Sequence, residues 1–335
     1  MTAAGPSLSV SVFTADALDT FAHEWEALSR ETPDSPPFAH PAWYRVWLAH
    51  FGPVRAVFVS MRDSQGVLRG VIPLSLEGTG AAGLGNPKIQ DYSGVAIATG
   101  WEGEVVDTLL AWAGGESIAK LRLWGILERT ALAEAISRAA VGSRWSIEAR
   151  EEAVAPAADV GPDWEAFVAS LSKKNRHELR RKLRNLEAAG DVRLETIAEA
   201  TAVGEATRSL IRMMRDSHEG KVRFLTPEME AFFLELGPAL AEAGFGRTWR
   251  LTVDGREAAV LLGFDKDQTR FLYNSGFEPA LGRLAVGLLS KALAMKAGAE
   301  DGLSRFDFLR GNEDYKRRLG GHEQKVLEFT VQRQA

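Results

Sequence analysis

The sequence predicts an α/β (α+β) protein built from two degenerate copies of one unit. Three observations carry this. The 335 residues exceed what a single ordinary core organises and suit about two domains. A run of helices followed by a hairpin in the first half is repeated in the second. Between them, residues 151–162 are rich in Ala, Pro and Gly and read as a boundary, giving domains 1–155 and 156–335.

In chain order, Leu18, Phe21, Trp25 and Leu28 fall on one helical face and predict a helix over 16–30. Pro33, Pro36 and Pro37 interrupt the chain before a second, aromatic helix over 41–51, with Pro41 in its first turn. A hairpin follows, 54–60 and 67–76, around a turn containing Asp63 and Gly66. Residues 78–100 are Gly-rich and hold a polar insert, Gln90-Asp91-Tyr92-Ser93-Gly94, between apolar runs.

In the second half, seven basic residues (Lys173, Lys174, Arg176, Arg180, Arg181, Lys182 and Arg184) share a helix with Leu179, Leu183 and Leu186. The leucines form its buried stripe and leave the basic face in water. Thr226 as N-cap, Pro227 at the first helical position and Glu228 behind it open another helix, with Met229, Phe232, Phe233, Leu236 and Leu240 on its face and Gly244 at its end. A hairpin, 249–253 and 258–264, turns at Asp254-Gly255. A third strand over 270–275 follows the polar turn 265–268, then an irregular loop over 276–283 and a long helix over 284–298. Phe306 and Phe308 alternate in a last strand, which runs into a Gly311-Asn312 break and the short basic helix Tyr315-Lys316-Arg317-Arg318 before Gly320-Gly321.

Composition narrows the chemistry. Without cysteine there is no disulfide, no thiolate metal site and no Cys nucleophile, and six scattered histidines form no His-x-x-x-His pair, so the expected chemistry is metal-free. A formal net charge of −5 argues against DNA or general nucleic-acid binding, although the segment 173–184 is strongly basic. No window approaches the roughly 20 apolar residues of a membrane span, and the N-terminal region lacks a basic start, which places the expected location in the cytoplasm.

The order strand, turn, Tyr-Lys basic helix, Gly-Gly over 304–320 resembles the C-terminal motif of one branch of the GNAT acyltransferase superfamily. That branch holds the CelD/BcsL-type acetyltransferases and, more distantly, the Fem-type aminoacyltransferases. Pro37-Phe-Ala-His-Pro-Ala-Trp43 is similar to the CelD/BcsL pattern near the N-terminus. The resemblance runs over nearly the whole chain and is best over 224–319. It implies two tandem GNAT-like domains, each a mixed, mostly antiparallel sheet flanked by helices, with the acceptor on the N-terminal side and donor binding and catalysis in the C-terminal one. It also implies an N-acyltransferase that moves an acyl group, acetyl above all, from acyl-CoA to an amine. The acceptor would be a small molecule or glycan, such as an amino sugar of a polysaccharide pathway, bound between the two copies.

Residue by residue, Arg283-Leu284-Ala285-Val286-Gly287 is a relaxed version of the Arg/Gln-x-x-Gly-x-Gly/Ala signature at which helix-start N–H groups hold the donor pyrophosphate. The other reading is a solvated arginine and a glycine needed for helix–sheet packing. Lys316 would neutralise donor phosphate or an oxyanion; its other reading is a surface lysine at a helix end. Tyr273 would protonate the leaving thiolate, or be an ordinary strand aromatic. Asp307 would orient Lys316 or Arg310, or face solvent. His40, Trp43, Asp91 and Tyr92, with Arg310, would contact the acceptor, although Trp43 and Trp47 have the spacing of core residues. Two alternatives stand beside this. One is a Fem-like transferase that takes its donor from aminoacyl-tRNA held on the basic helix, and the other is a GNAT-fold binding module without catalysis.

Overall fold

The computed structural model describes residues 8–32, 35–52, 55–139, 144–217 and 219–334; Pro33 and Val54 of the expected break and hairpin lie outside them. The chain divides into two compact units, Met1–Val154 with Gln324–Ala335, and Ala155–Glu323.

The first unit holds strands β1 (Ser9–Thr14), β2 (Ala56–Arg62), β3 (Leu68–Glu77), β4 (Gly80–Gly83), β5 (Ala96–Ile97), β6 (Lys120–Leu127) and β7 (Trp145–Val154). Its helices are α1 (Leu18–Glu31), α2 (Pro41–Phe51), α3 (Glu102–Gly115) and α4 (Ala131–Ala139). Leu18, Phe21, Trp25 and Leu28 are buried in α1 as their spacing predicts. His40 caps α2, its Nδ1 accepting from the Ala42 amide (3.2 Å).

The second unit holds β8 (Ala157–Asp159), α5 (Trp164–Ser170), α6 (Lys173–Glu187), β9 (Val192–Ile197), α7 (Ala200–Ser217), α8 (Glu219–Phe224), α9 (Pro227–Glu242), β10 (Gly246–Val253), β11 (Arg256–Lys266), β12 (Thr269–Phe277), α10 (Val286–Glu300), β13 (Arg305–Asp307) and α11 (Asp314–Arg318). The last strand, β14 (Lys325–Arg333), returns to the first unit. Thr226 caps α9 by accepting from the Met229 amide (3.2 Å), and Phe232, Phe233, Leu236 and Leu240 form its buried face. Asp254 and Gly255 both take positive φ, the turn a tight hairpin needs between β10 and β11.

Both sheets are mixed and mostly antiparallel. The first runs β1-β2-β3-β4-β6-β14-β7 with β5 on β3, and β4 and β6 are parallel. The second runs β8-β13-β12-β11-β10-β9, and β12 and β13 are parallel.

The two units part between Val154 and Ala155, inside 151–162, with β7 and β8 on either side. Two expectations are corrected. The division at 156–335 fails for the tail: β14 pairs with β6 on one side and with β7 along its whole length on the other, burying Val326, Phe329 and Val331. The long helix expected over 284–298 begins at Val286, because a 3-10 turn over Pro279–Leu284 ends in Ala285 with left-handed φ (57°).

Candidate active site

The second unit is built around a pair of parallel strands that part. β12 and β13 are in register over three pairs, Thr269 with Arg305, Arg270 with Phe306 and Phe271 with Asp307. β12 then runs on to Phe277, while past β13 the chain turns away through Leu309 (φ 57°) and Gly311 (φ 122°). Among the described residues no strand pairs with that side of 272–277, which lies at the carboxyl ends of two parallel strands. Ligands of α/β sheets bind at such places.

β12 also carries a bulge. Its pairing to β11 jumps from Asn274–Leu262 to Leu272–Gly263, which leaves Tyr273 as the extra residue. Gly263 is required there: a Cβ would sit 2.0 Å from the Phe271 carbonyl oxygen. The Tyr273 ring packs between Phe233 (5.8 Å) and Phe264 (5.2 Å), so this expected proton donor is held as a wall of the bulge.

Where β12 leads into α10, the Ala285 carbonyl accepts from the Leu288 and Leu289 amides. Val286 and Gly287 thus present the leading amides of a fifteen-residue helix. Arg283 is exposed just before them. Gly287 has a packing reason: a Cβ would lie 2.8 Å from the Phe277 ring. Close approach of helix to strand therefore accounts for the glycine, and the anion-binding capacity rests on Arg283 and the two amides.

α10 and α11, which follow β12 and β13, meet at two side chains. Lys291 is buried in α10, donates to the Gly287 carbonyl (2.6 Å) and lies 5.1 Å from the Tyr315 ring centre. Burial, with the charge of Glu313 behind it, pushes the Tyr315 phenol well above its usual range, so it stays protonated. Tyr315 and Lys291 were not singled out from the sequence, although each leaves a trace there. Tyr315 stands beside Lys316 in the quoted motif, and Lys291 interrupts an otherwise apolar stretch of α10.

Lys316 has a different place from the one expected. Only 2% exposed, its ammonium donates to the carbonyls of Leu309 (3.1 Å), Arg310 (2.6 Å) and Gly311 (3.3 Å) and pairs with Glu313 (3.0 Å). Its three N–H groups are consumed by this clamp, leaving none for phosphate or an oxyanion. Asp307 is buried, not solvent-facing, and accepts from the Leu309 amide (2.7 Å). Lys316 and Asp307 together hold the turn that carries the chain away from β12, and Arg310 contributes its carbonyl to the clamp.

Of the expected acceptor residues, His40, Trp43, Asp91 and Tyr92 lie in the first unit and Arg310 in the second. Trp43 is fully buried, edge-on to Phe38 (4.7 Å), and His40 is the cap of α2. Tyr92 is buried, also against Phe38 (6.1 Å), and Asp91 beside it is half-buried. On α6, Arg176 donates to the Ala169 and Leu171 carbonyls, Arg180 pairs with Glu165 and Lys182 with Glu178. Lys173, Lys174, Arg181 and Arg184 remain exposed on this helix. No group of three metal-ligating side chains occurs among the described residues, nor does any helix there have the length and apolarity to cross a membrane.

Residues 173–317 match the family described as acetyltransferase (GNAT) domain, which spans β9 to β13 and the α10–α11 junction. The chain is an acyltransferase by the domain it carries. No curated protein matches it. Among solved structures it is similar to FemX (12% identity, 92% of this chain and 95% of that one, TM-score 0.62). It is also similar to a conserved protein of unknown function from Bacteroides thetaiotaomicron (13%, 97% and 99%, 0.61). A third is the C-terminal domain of a putative lysylphosphatidylglycerol synthetase from Agrobacterium fabrum (10%, 93% and 92%, 0.61). At these identities the likeness is one of fold.

Proposed function

We propose that the protein is an N-acyltransferase, in the manner of the CelD/BcsL type, moving acetyl or a related acyl group from acyl-CoA to an amine such as an amino sugar, in the cytoplasm. The observation that carries this is the parting of β12 from β13 directly before a helix start that is flanked by Arg283. Arg283 and the amides of Val286 and Gly287 would hold the donor's phosphates, and the side of 272–277 that no strand pairs among the described residues would lie along its amide-bearing arm. Bound there, the thioester supplies an activated carbonyl.

The chain's own contribution is placement and one proton. The amine reaches the carbonyl neutral, its nitrogen forms the new C–N bond, and the C–S bond breaks. Tyr315, kept protonated by burial, gives its proton to the departing sulfur and recovers one from the nitrogen, so the balance closes without a covalent intermediate. Lys316 acts through the turn it clamps and is a positioning residue. The test is acetyl-CoA turnover on a panel of amines, followed by thiol release. Tyr315→Phe should lower kcat with KM little changed, and a Tyr315→Phe enzyme of undiminished kcat would remove the tyrosine from the mechanism.

One observation favours a second reading. The exposed cations Lys173, Lys174, Arg181 and Arg184 on α6 suit a polyanion, which would make aminoacyl-tRNA the donor. Its signature is RNA binding that weakens steeply with salt and is lost when these four residues are changed to Ala, whereas salt-insensitive binding would count against it.

A further inference from the structure

The first unit contains a cavity of about 90 Å³ where the carboxyl end of β6 meets the starts of α3 and α4. Its walls include Tyr92, Ile97, Ile126 and Leu132, and its polar groups are few. Ser35 lines it with a hydroxyl that is buried and has no hydrogen-bond partner, although the residue is only 5% exposed. Such a buried hydroxyl is costly unless something enters to satisfy it. Ser93 lines the cavity as well; its oxygen accepts from the Val95 amide (3.2 Å) and its own hydrogen is left to give. Glu102, in the first turn of α3, adds a half-buried carboxylate.

Among the described residues that line it there is no Lys, Arg or His. An anion entering would meet the Glu102 charge with only the amide ends of α3 and α4 against it, whereas a cation would find an acceptor at one end and apolar walls around its body. We propose that this cavity is a binding site for a primary ammonium on a compact organic body, its charge on Glu102 and a polar group on Ser35. The acyl-transfer chemistry of the second unit is not needed for this, and binding is measured without any acyl donor, so a protein that bound amines but turned over no acyl-CoA would leave it standing.

The test is calorimetry on the full chain at low salt with 3-methylbutylamine and glucosamine, one an apolar and the other a hydroxylated body, and with isovalerate as the anionic counterpart. Saturable binding of at least one amine is expected, with none for isovalerate. Glu102→Gln should weaken the amine about tenfold or more and Ser35→Ala a few-fold. Ser35→Ala removes an unpaired buried hydroxyl, so the ligand-free protein should melt no lower than wild type; weaker binding without lost stability separates recognition from a folding defect. The response to the two bodies says which kind of amine the site takes. Failure of both amines to saturate, equal binding of isovalerate, or binding that neither substitution changes would overturn the proposal.

Discussion

The two units share one device and finish it differently. In the first, β4 and β6 are parallel over Gly80–Lys120, Ala81–Leu121 and Ala82–Arg122, the same three-pair length as Thr269–Arg305 to Phe271–Asp307 in the second. Beyond that register the first unit closes its gap with its own chain. The Ser93 amide donates to Gly125 O (2.8 Å), the Trp124 indole to Gly83 O (2.8 Å), and the Gln90 amide to Tyr92 O and to the Tyr44 hydroxyl. Gly94 lets this loop pass: a Cβ there would stand 1.5 Å from the Tyr44 oxygen. In the second unit the chain turns aside under the Lys316 clamp, and among the described residues no strand pairs with that side of 272–277. The same parallel pair is thus a plugged scaffold in one unit and a site in the other, and the difference lies in the loops after the strands.

The largest expected effect tests what completes the plugged unit. Ending the chain at Glu323 removes β14, the strand partner of β7, and opens the edge of β6. Limited proteolysis should then digest the first unit while the second, with all six strands of its sheet, resists. Equal protection of both would show that the strand is dispensable.

Next comes the clamp that turns the chain aside in the second unit. Lys316→Met leaves three carbonyls without their donor and should cost about 2–4 kcal/mol in denaturant unfolding. A loss of activity without a loss of stability would instead return Lys316 to the chemistry. Tyr315→Phe should leave stability near wild type and lower kcat about 100-fold, the lower end for a general acid. Because its phenol is pushed up, kcat should show no alkaline fall from Tyr315 below about pH 10, the ordinary phenol range.

Gly94→Ala should destabilise by roughly 1–3 kcal/mol through overpacking against Tyr44, with smaller consequences for donor binding. The smallest effect is at the rim of the first unit, where the Arg62 guanidinium holds the Glu24 carboxyl below its usual range. A depressed carboxyl stabilises the fold above its unfolded value of about 4.3 and loses that contribution as pH falls through the lower folded value. Glu24→Gln should therefore matter at neutral pH by less than about 1 kcal/mol, since the pair is partly exposed, and hardly at all in strong acid.

Much of the scaffold was legible because its signals are local. The cap at Thr226, the Asp254-Gly255 turn and the apolar faces of α1 and α9 all act within a few residues. β14 was not legible, because what makes it part of the first unit is pairing with strands more than 170 residues earlier in the chain. The candidate site was less legible. Arg283 stands before the start of α10, as the chain order predicts, while the burial of Lys316 beside Tyr315 was not foreseen. Which of two neighbours on a five-residue helix is buried depends on how 309–311 folds back, and that depends on positive φ at Leu309, a residue that gives no warning of it. The plug in 84–95 was equally hidden, since a Gly-rich polar insert does not say what it will fill.

The central claim, one site and one plugged gap, is tested most directly by titrating acetyl-CoA into the intact chain calorimetrically. One site per chain is expected, weakened by added salt and by Arg283→Ala and unchanged by Glu102→Gln. Two equivalent sites, a single site indifferent to Arg283→Ala, or no binding at all would contradict it.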